Sequence, residues 1–148
     1  MAFLSQEEKE LLQQQSNQYF LNQGLSCGLT MLHCLSDYFK LPLEQQVYAA
    51  LGGMMESPAQ REQCGLYKGA LMFLGIYCAQ QGLDKQATYQ IILDFTQSMS
   101  RDYPSLKCYE LRGGPFLPGE PHDKCAPLTA RTVIYVVEYL LELQRKNK

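Results

Sequence analysis

Apolar residues recur along this chain every three or four positions, the period of helices with one buried face. The first such stretch, residues 5–20, opens on Ser5-Gln6-Glu7-Glu8. A cap serine followed three residues later by glutamate is the pattern of a capping box. Gly24 ends this segment. A second helix is predicted from Cys27 to Phe39 or Lys40, with Leu25, Leu29, Leu32 and Leu35 or Ser36 on its apolar side. Pro42 reads as the first helical residue of a third helix, about 43–51, which stops at Gly52-Gly53. Residues 54–63 read as a loop around Pro58. The fourth helix runs from Cys64 to Gln81, with Gly82 as its stop. It is apolar nearly all round between Ala70 and Tyr77, which predicts the central, buried helix. The fifth, about 84–101, buries Ile91, Ile92, Phe95 and Met99. The sixth, about 127–145, starts with Pro127 and buries Val133, Ile134, Val137, Leu140 and Leu141. No strand alternation competes with these patterns, so the expected fold is all-α: a compact, single-domain bundle of about six helices over 1–148.

Two features break the regularity. Gly65, Gly69 and Gly75 sit inside the fourth helix, where each costs about 1 kcal/mol. Close approach of another backbone or of a ligand is the expected reason for them. The second feature is the segment 102–126, which holds Pro104, Gly113, Gly114, Pro115, Pro118, Gly119 and Pro121. A loop this long is unusual unless it is functional or pinned. Cys108 lies near its beginning and Cys125 at its end.

Composition narrows the function. The 148 residues suit one core, and 46% hydrophobic with 19% charged is ordinary for a globular chain. A net charge of −2 with scattered basic residues argues against nucleic acid. The densest basic group, Arg145, Lys146 and Lys148, closes the last helix, where it suits the helix dipole. No apolar run is long enough for a bilayer, so no membrane partner is expected. Met1-Ala2-Phe3-Leu4 turns acidic at Glu7 and Glu8 and has no secretory pattern, so the expected location is the cytoplasm. Six cysteines in that reducing compartment point to ligands or redox groups rather than a disulfide framework. Plain core packing is the alternative for each of them.

Helix geometry sorts the six. Cys27 and Cys34 are seven residues apart, about 10 Å along one axis, and Cys64 and Cys78 are fourteen apart, about 21 Å. Neither pair can share a metal or a disulfide, so each helix gives one cysteine to a common centre. Cys27, Cys64 and Cys125 fall at predicted helix starts, and Cys108 precedes a short turn at Tyr109-Glu110-Leu111. Helix starts carry partial positive charge and unpaired N–H groups, which stabilise a thiolate and lower its pKa. Cys34 and Cys78 lie mid-helix among apolar residues and read as core. The chain has no Cys-x-x-Cys pair, so the pattern is not that of a standard zinc module, and covalent haem attachment is excluded. His33 reads as a partly buried or surface histidine. His122, three residues before Cys125, is a candidate second-shell donor, acid–base partner or ligand, with a plain loop histidine as the alternative.

The order of these residues resembles a known family. Cys27, a Gly-Gly turn, Cys64-Gly65-Leu66-Tyr67-Lys68-Gly69, then Cys108 and Cys125 are similar to the small redox-active proteins named for a Cys…Cys-Gly-Ala-x-x-Gly…Cys…Cys pattern. Gly69-Ala70-Leu71, Tyr103-Pro104-Ser105-Leu106-Lys107-Cys108 and His122-Asp123-Lys124-Cys125 add to the likeness, which covers the chain from about Cys27 to Leu141. The resemblance implies that Cys27, Cys64, Cys108 and Cys125 are the defining redox or metal residues, with Gly65 and Gly69 as motif glycines. Leu66 stands where the family pattern has alanine. Three readings follow. Four thiolates hold a [2Fe–2S] cluster for electron transfer with a redox partner protein. In the second, the site is metal-free and cycles a disulfide, with Cys64 as the attacking, catalytic thiolate. In the third, the cysteines form a structural zinc site in an interaction domain. The apolar fourth helix and the ten tyrosines would suit a homodimer.

Overall fold

A computed structural model describes residues 3–56, 62–114 and 122–147. Its helices are α1 (Gln6–Asn17), α2 (Cys27–Phe39), α3 (Gln45–Glu56), α4 (Gly65–Gln80), α5 (Lys85–Asp102), α6 (Cys108–Arg112) and α7 (Ala126–Lys146). A π turn, Gln18–Asn22, extends α1, and a 3-10 turn, His122–Cys125, leads into α7. Among the described residues there is no strand, and the architecture is all-α. No helix among them is long and apolar enough to cross a membrane.

Local signals account for most of the helix ends. Ser5 caps α1 by accepting from the Glu8 N–H at 3.1 Å, while Glu8 Oε2 accepts from the Ser5 N–H at 2.8 Å. This is the capping box that the sequence predicts. Lys40 ends α2 in the left-handed region at φ 52°. Asp84 caps α5 through the Ala87 N–H at 2.9 Å. Gly82, at φ +73°, closes α4.

The hub is α2 rather than α4. It packs on α1, α3, α4 and α7, whereas α4 meets α2, α5 and α7. Met31, Leu32 and Leu35 of α2, Leu66, Phe73 and Leu74 of α4, Phe95 and Met99 of α5, and Val133, Val136 and Leu140 of α7 fill the core. The α4 helix is not enclosed on every side. Leu71, Met72, Gly75 and Ile76 stay part-exposed and line an apolar groove of about 450 Å³ with Gln46, Val47 and Ala50 of α3.

The α2–α4 crossing is close to backbone contact. A Cβ on Gly69 would stand 2.8 Å from the Gly28 carbonyl oxygen and 3.2 Å from Met31 Cβ. The expectation of backbone approach therefore holds at Gly69, whereas at Gly65 the space is taken by the Met55 and Cys27 side chains. It fails at Gly75, where an added Cβ would meet nothing within 4 Å.

Three boundaries differ from the sequence reading. Pro42 does not start α3, which begins at Gln45 with the Glu44 carbonyl accepting from the Val47 N–H at 3.0 Å, while Leu41 closes α2. Ser36 Oγ donates to the Leu41 carbonyl at 2.8 Å, and the Leu41 N–H returns to the Ser36 carbonyl at 3.1 Å. The α3 helix also continues through Gly52-Gly53 to Glu56. Fully buried Leu51 and the inward side chain of Met55 hold it against the weak propensity of glycine. Residues 57–61, with Pro58, lie outside the described residues. Finally, the 102–126 segment is not wholly irregular, since α6 starts at Cys108 and the 3-10 turn ends at Cys125. Its middle, 115–121, lies outside the described residues.

Candidate redox site

Each of the four candidate cysteines stands at a helix start. Cys27 is the first residue of α2, preceded by Ser26, whose hydroxyl accepts from the Leu29 N–H at 3.3 Å. Cys64 is the N-cap of α4, in extended conformation. Cys108 opens α6, and Cys125 precedes Ala126 of α7. A short bridge joins the second and third segments. Gln63 pairs with Lys107, and the Cys64 N–H donates to the Leu106 carbonyl at 2.8 Å.

These segments bring three other cysteines within electrostatic reach of Cys27. Cys27 feels the charges of Cys64, Cys108 and Cys125, and Cys64 also feels Cys125. Gly65 provides the space. A Cβ there would lie 2.5 Å from Met55 Cε, 2.7 Å from Cys27 Sγ and 2.8 Å from Met55 Sδ. The start of α4 is thus bare so that the Cys27 sulfur and the Met55 thioether can occupy that volume. Cys34 and Cys78 are fully buried mid-helix in α2 and α4. Burial pushes the Cys34 thiol up to about 12. All six cysteines are free thiols.

At Cys27 and Cys64 burial outweighs the helix start, so these thiols are raised rather than lowered, contrary to the sequence expectation. Burial pushes Cys27 up, and the neighbouring charges of Cys64, Cys108 and Cys125 push it further. Burial also raises Cys64, against the opposing pull of the Leu66 and Tyr67 N–H groups at the head of α4. Desolvation of a buried anion outweighs a partial dipole charge. Cys64 is only 3% exposed, whereas Cys108 and Cys125 are part-exposed.

Two residues escaped the sequence reading. The sequence reads Met55 as loop, yet its thioether and the Cys27 sulfur meet at the bare Gly65 position. Lys68 is 4% exposed and lies one turn into α4, its N–H donating to the Cys64 carbonyl at 3.1 Å. Burial depresses its ammonium, while the charges of Cys27, Cys108 and Cys64 favour it.

The other candidates are placed as follows. Leu66 is 1% exposed and fills the core behind the site. His33 is stacked between Tyr19 and Tyr48, with ring centroids 4.8 and 4.1 Å away, and burial lowers its pKa. It serves packing rather than the cysteine group. His122 begins the 3-10 turn, and its side chain lies outside the described residues. Among the described residues, no three His, Cys, Asp or Glu side chains are grouped as a ready metal-ion site.

A family model described as "Putative redox-active protein (C_GCAxxG_C_C)" matches residues 25–139, a span that contains all four cysteines. No curated protein and no solved structure matches the chain.

Proposed function

We propose, from the premise that this chain belongs to the C_GCAxxG_C_C family of redox-active proteins, that Cys27, Cys64, Cys108 and Cys125 form one sulfur centre that carries a [2Fe–2S] cluster for electron transfer with a partner protein. The observation that carries the proposal is that Cys27 lies within electrostatic reach of three other cysteines, each delivered from a different segment at a helix start.

Two arguments support it. Four thiolates ionised together in a buried place repel one another, and iron removes that repulsion. The raised thiols of Cys27 and Cys64 are poor attacking groups, which weighs against metal-free exchange at Cys64. A mononuclear zinc site needs three or four donors on one ion, whereas each iron of a [2Fe–2S] cluster takes two protein thiolates. A bound cluster would supply a one-electron couple. The chain would supply four thiolates, N–H groups at helix starts, and shielding from water by Met55 and Leu66. Protein prepared without oxygen should be coloured and contain about two iron and two sulfide per chain. A colourless, iron-free preparation would overturn the proposal.

A second reading rests on the partial exposure of Cys108 and Cys125. Their two thiols would pass two electrons and two protons to a partner disulfide, forming one disulfide here and two thiols there. In metal-free protein, mild oxidant should then remove two of the six thiols from the count. Six thiols remaining would exclude it.

A further inference from the structure

We propose that Met55 is an oxidation site: a hydroperoxide converts its thioether to the sulfoxide, and the sulfoxide opens the sulfur centre to water. The inference rests on the four-cysteine reading of the site, though not on any cluster being bound. The Met55 side chain sits in a notch shaped by two glycines and a cysteine. A Cβ on Gly65 would lie 2.5 Å from Met55 Cε, 2.8 Å from its Sδ and 2.7 Å from Cys27 Sγ. A Cβ on Gly28 would lie 3.3 Å from Met55 Sδ and 3.1 Å from Leu51 Cδ2. Both α2 and α4 are thus bare where the thioether seats, and Met55 with fully buried Leu51 holds the end of α3 against them. Met55 is part-exposed, which gives a small oxidant a way in, whereas Met31 and Met99 are fully enclosed. Met54, 41% exposed, is next to it in sequence but on another face of α3.

The step is a two-electron oxidation of sulfur. The thioether gives an electron pair to the peroxide, whose O–O bond breaks. One oxygen forms the S–O bond, and the other leaves as an alcohol, or as water from hydrogen peroxide. A flexible apolar side chain becomes a polar one with an extra atom on sulfur. That oxygen, turned inward, meets Gly28, Gly65 or Cys27; turned outward, it draws the sulfur toward water. Either way the last turn of α3 loosens and the Cys27 sulfur loses its thioether neighbour. Methionine sulfoxide reductases reverse the chemistry, so the change can be undone.

The test uses the full-length chain, metal-free and with its thiols reduced. Hydrogen peroxide is followed by dithiothreitol, which returns sulfenic acids and disulfides to thiols and leaves methionine sulfoxide in place. Peptide mass locates the added oxygen. Amide hydrogen exchange of the peptides covering Gly28 and Cys64-Gly65 reads the opening. Oxidation at Met55 should speed that exchange roughly tenfold, the lower end of what an unpaired polar group costs in a buried place. Methionine sulfoxide reductase should restore the native rate with no substitution in the chain. Met55→Leu keeps the size and cannot be oxidised, so its exchange should ignore peroxide. Met54→Leu should respond as the native chain does. Met55 left unoxidised while Met54 is fully converted would overturn the proposal. So would equal speeding in the native chain and in Met55→Leu, or a native rate once Met55 is oxidised. Iron analysis of the wild-type protein separates the two claims. An iron-free protein with the Met55 effect intact removes the cluster reading alone. A protein that binds iron but shows no Met55 effect removes this inference alone.

Discussion

At Gly69 an added methyl group would stand 2.8 Å from the Gly28 carbonyl oxygen, and neither α2 nor α4 can yield without parting. Gly69→Ala should therefore cost about 1–3 kcal/mol, as overpacking does. At Gly75, on the same helix, the added methyl group meets nothing within 4 Å. Gly75→Ala should stabilise by about 0.5–1 kcal/mol through lower unfolded-state entropy. Urea unfolding of the two variants checks both signs, and equal effects would refute the distinction. The sequence marks these glycines as costly but cannot say which cost is offset, because that depends on the chain facing each one. Lys68 was hidden for a related reason. Hydrophobic period places residues on faces, and it does not reveal that a charged side chain is enclosed.

Helices were legible wherever period and punctuation agreed. The bounds of α2, α4, α5 and α7 follow from Ser26, Cys64, Asp84 and Pro127 at their starts and from Lys40 and Gly82 beyond the ends of α2 and α4. The α3 helix departs from the sequence expectation because glycine pairs usually stop helices, and here Leu51 and Met55 carry the helix through by packing on other elements. A physical consequence separates the two descriptions. Gly53 is exposed, helical and has nothing within 4 Å of an added Cβ. Gly53→Ala should then raise stability by about 0.5–1 kcal/mol, the helical preference of alanine over glycine. Loss of stability in thermal or urea melts would instead favour a turn at this position. The four cysteine positions were legible because helix starts are marked in sequence. Their thiol chemistry was not, since burial depends on what α3 and α6 lay over the site.

Across the whole molecule, the same burial that encloses the site also ties stability to alkaline pH. Cys34 is fully enclosed, and its thiol rises from the ordinary 9.0 to about 12. Tyr135, between Ser98 and Asp102, rises from 10.0 to about 12 through burial, and Asp102 adds to that rise. Tyr139 is raised as well, first by burial and then by its 2.7 Å hydrogen bond to Asp94. All three groups are neutral when protonated, and the folded protein holds the proton more tightly than the unfolded chain. Their contribution is therefore complete below about pH 9 and is lost as pH rises toward 12. At about pH 10.5 the loss from Cys34 alone should be roughly 2 kcal/mol relative to pH 8. Urea midpoints of the metal-free protein at these two pH values measure it. Cys34→Ala should be less stable at pH 8 from its lost packing, yet fall less steeply toward high pH. A midpoint that does not move between the two conditions would mean that the buried thiol and tyrosines titrate as freely in the fold as in the open chain.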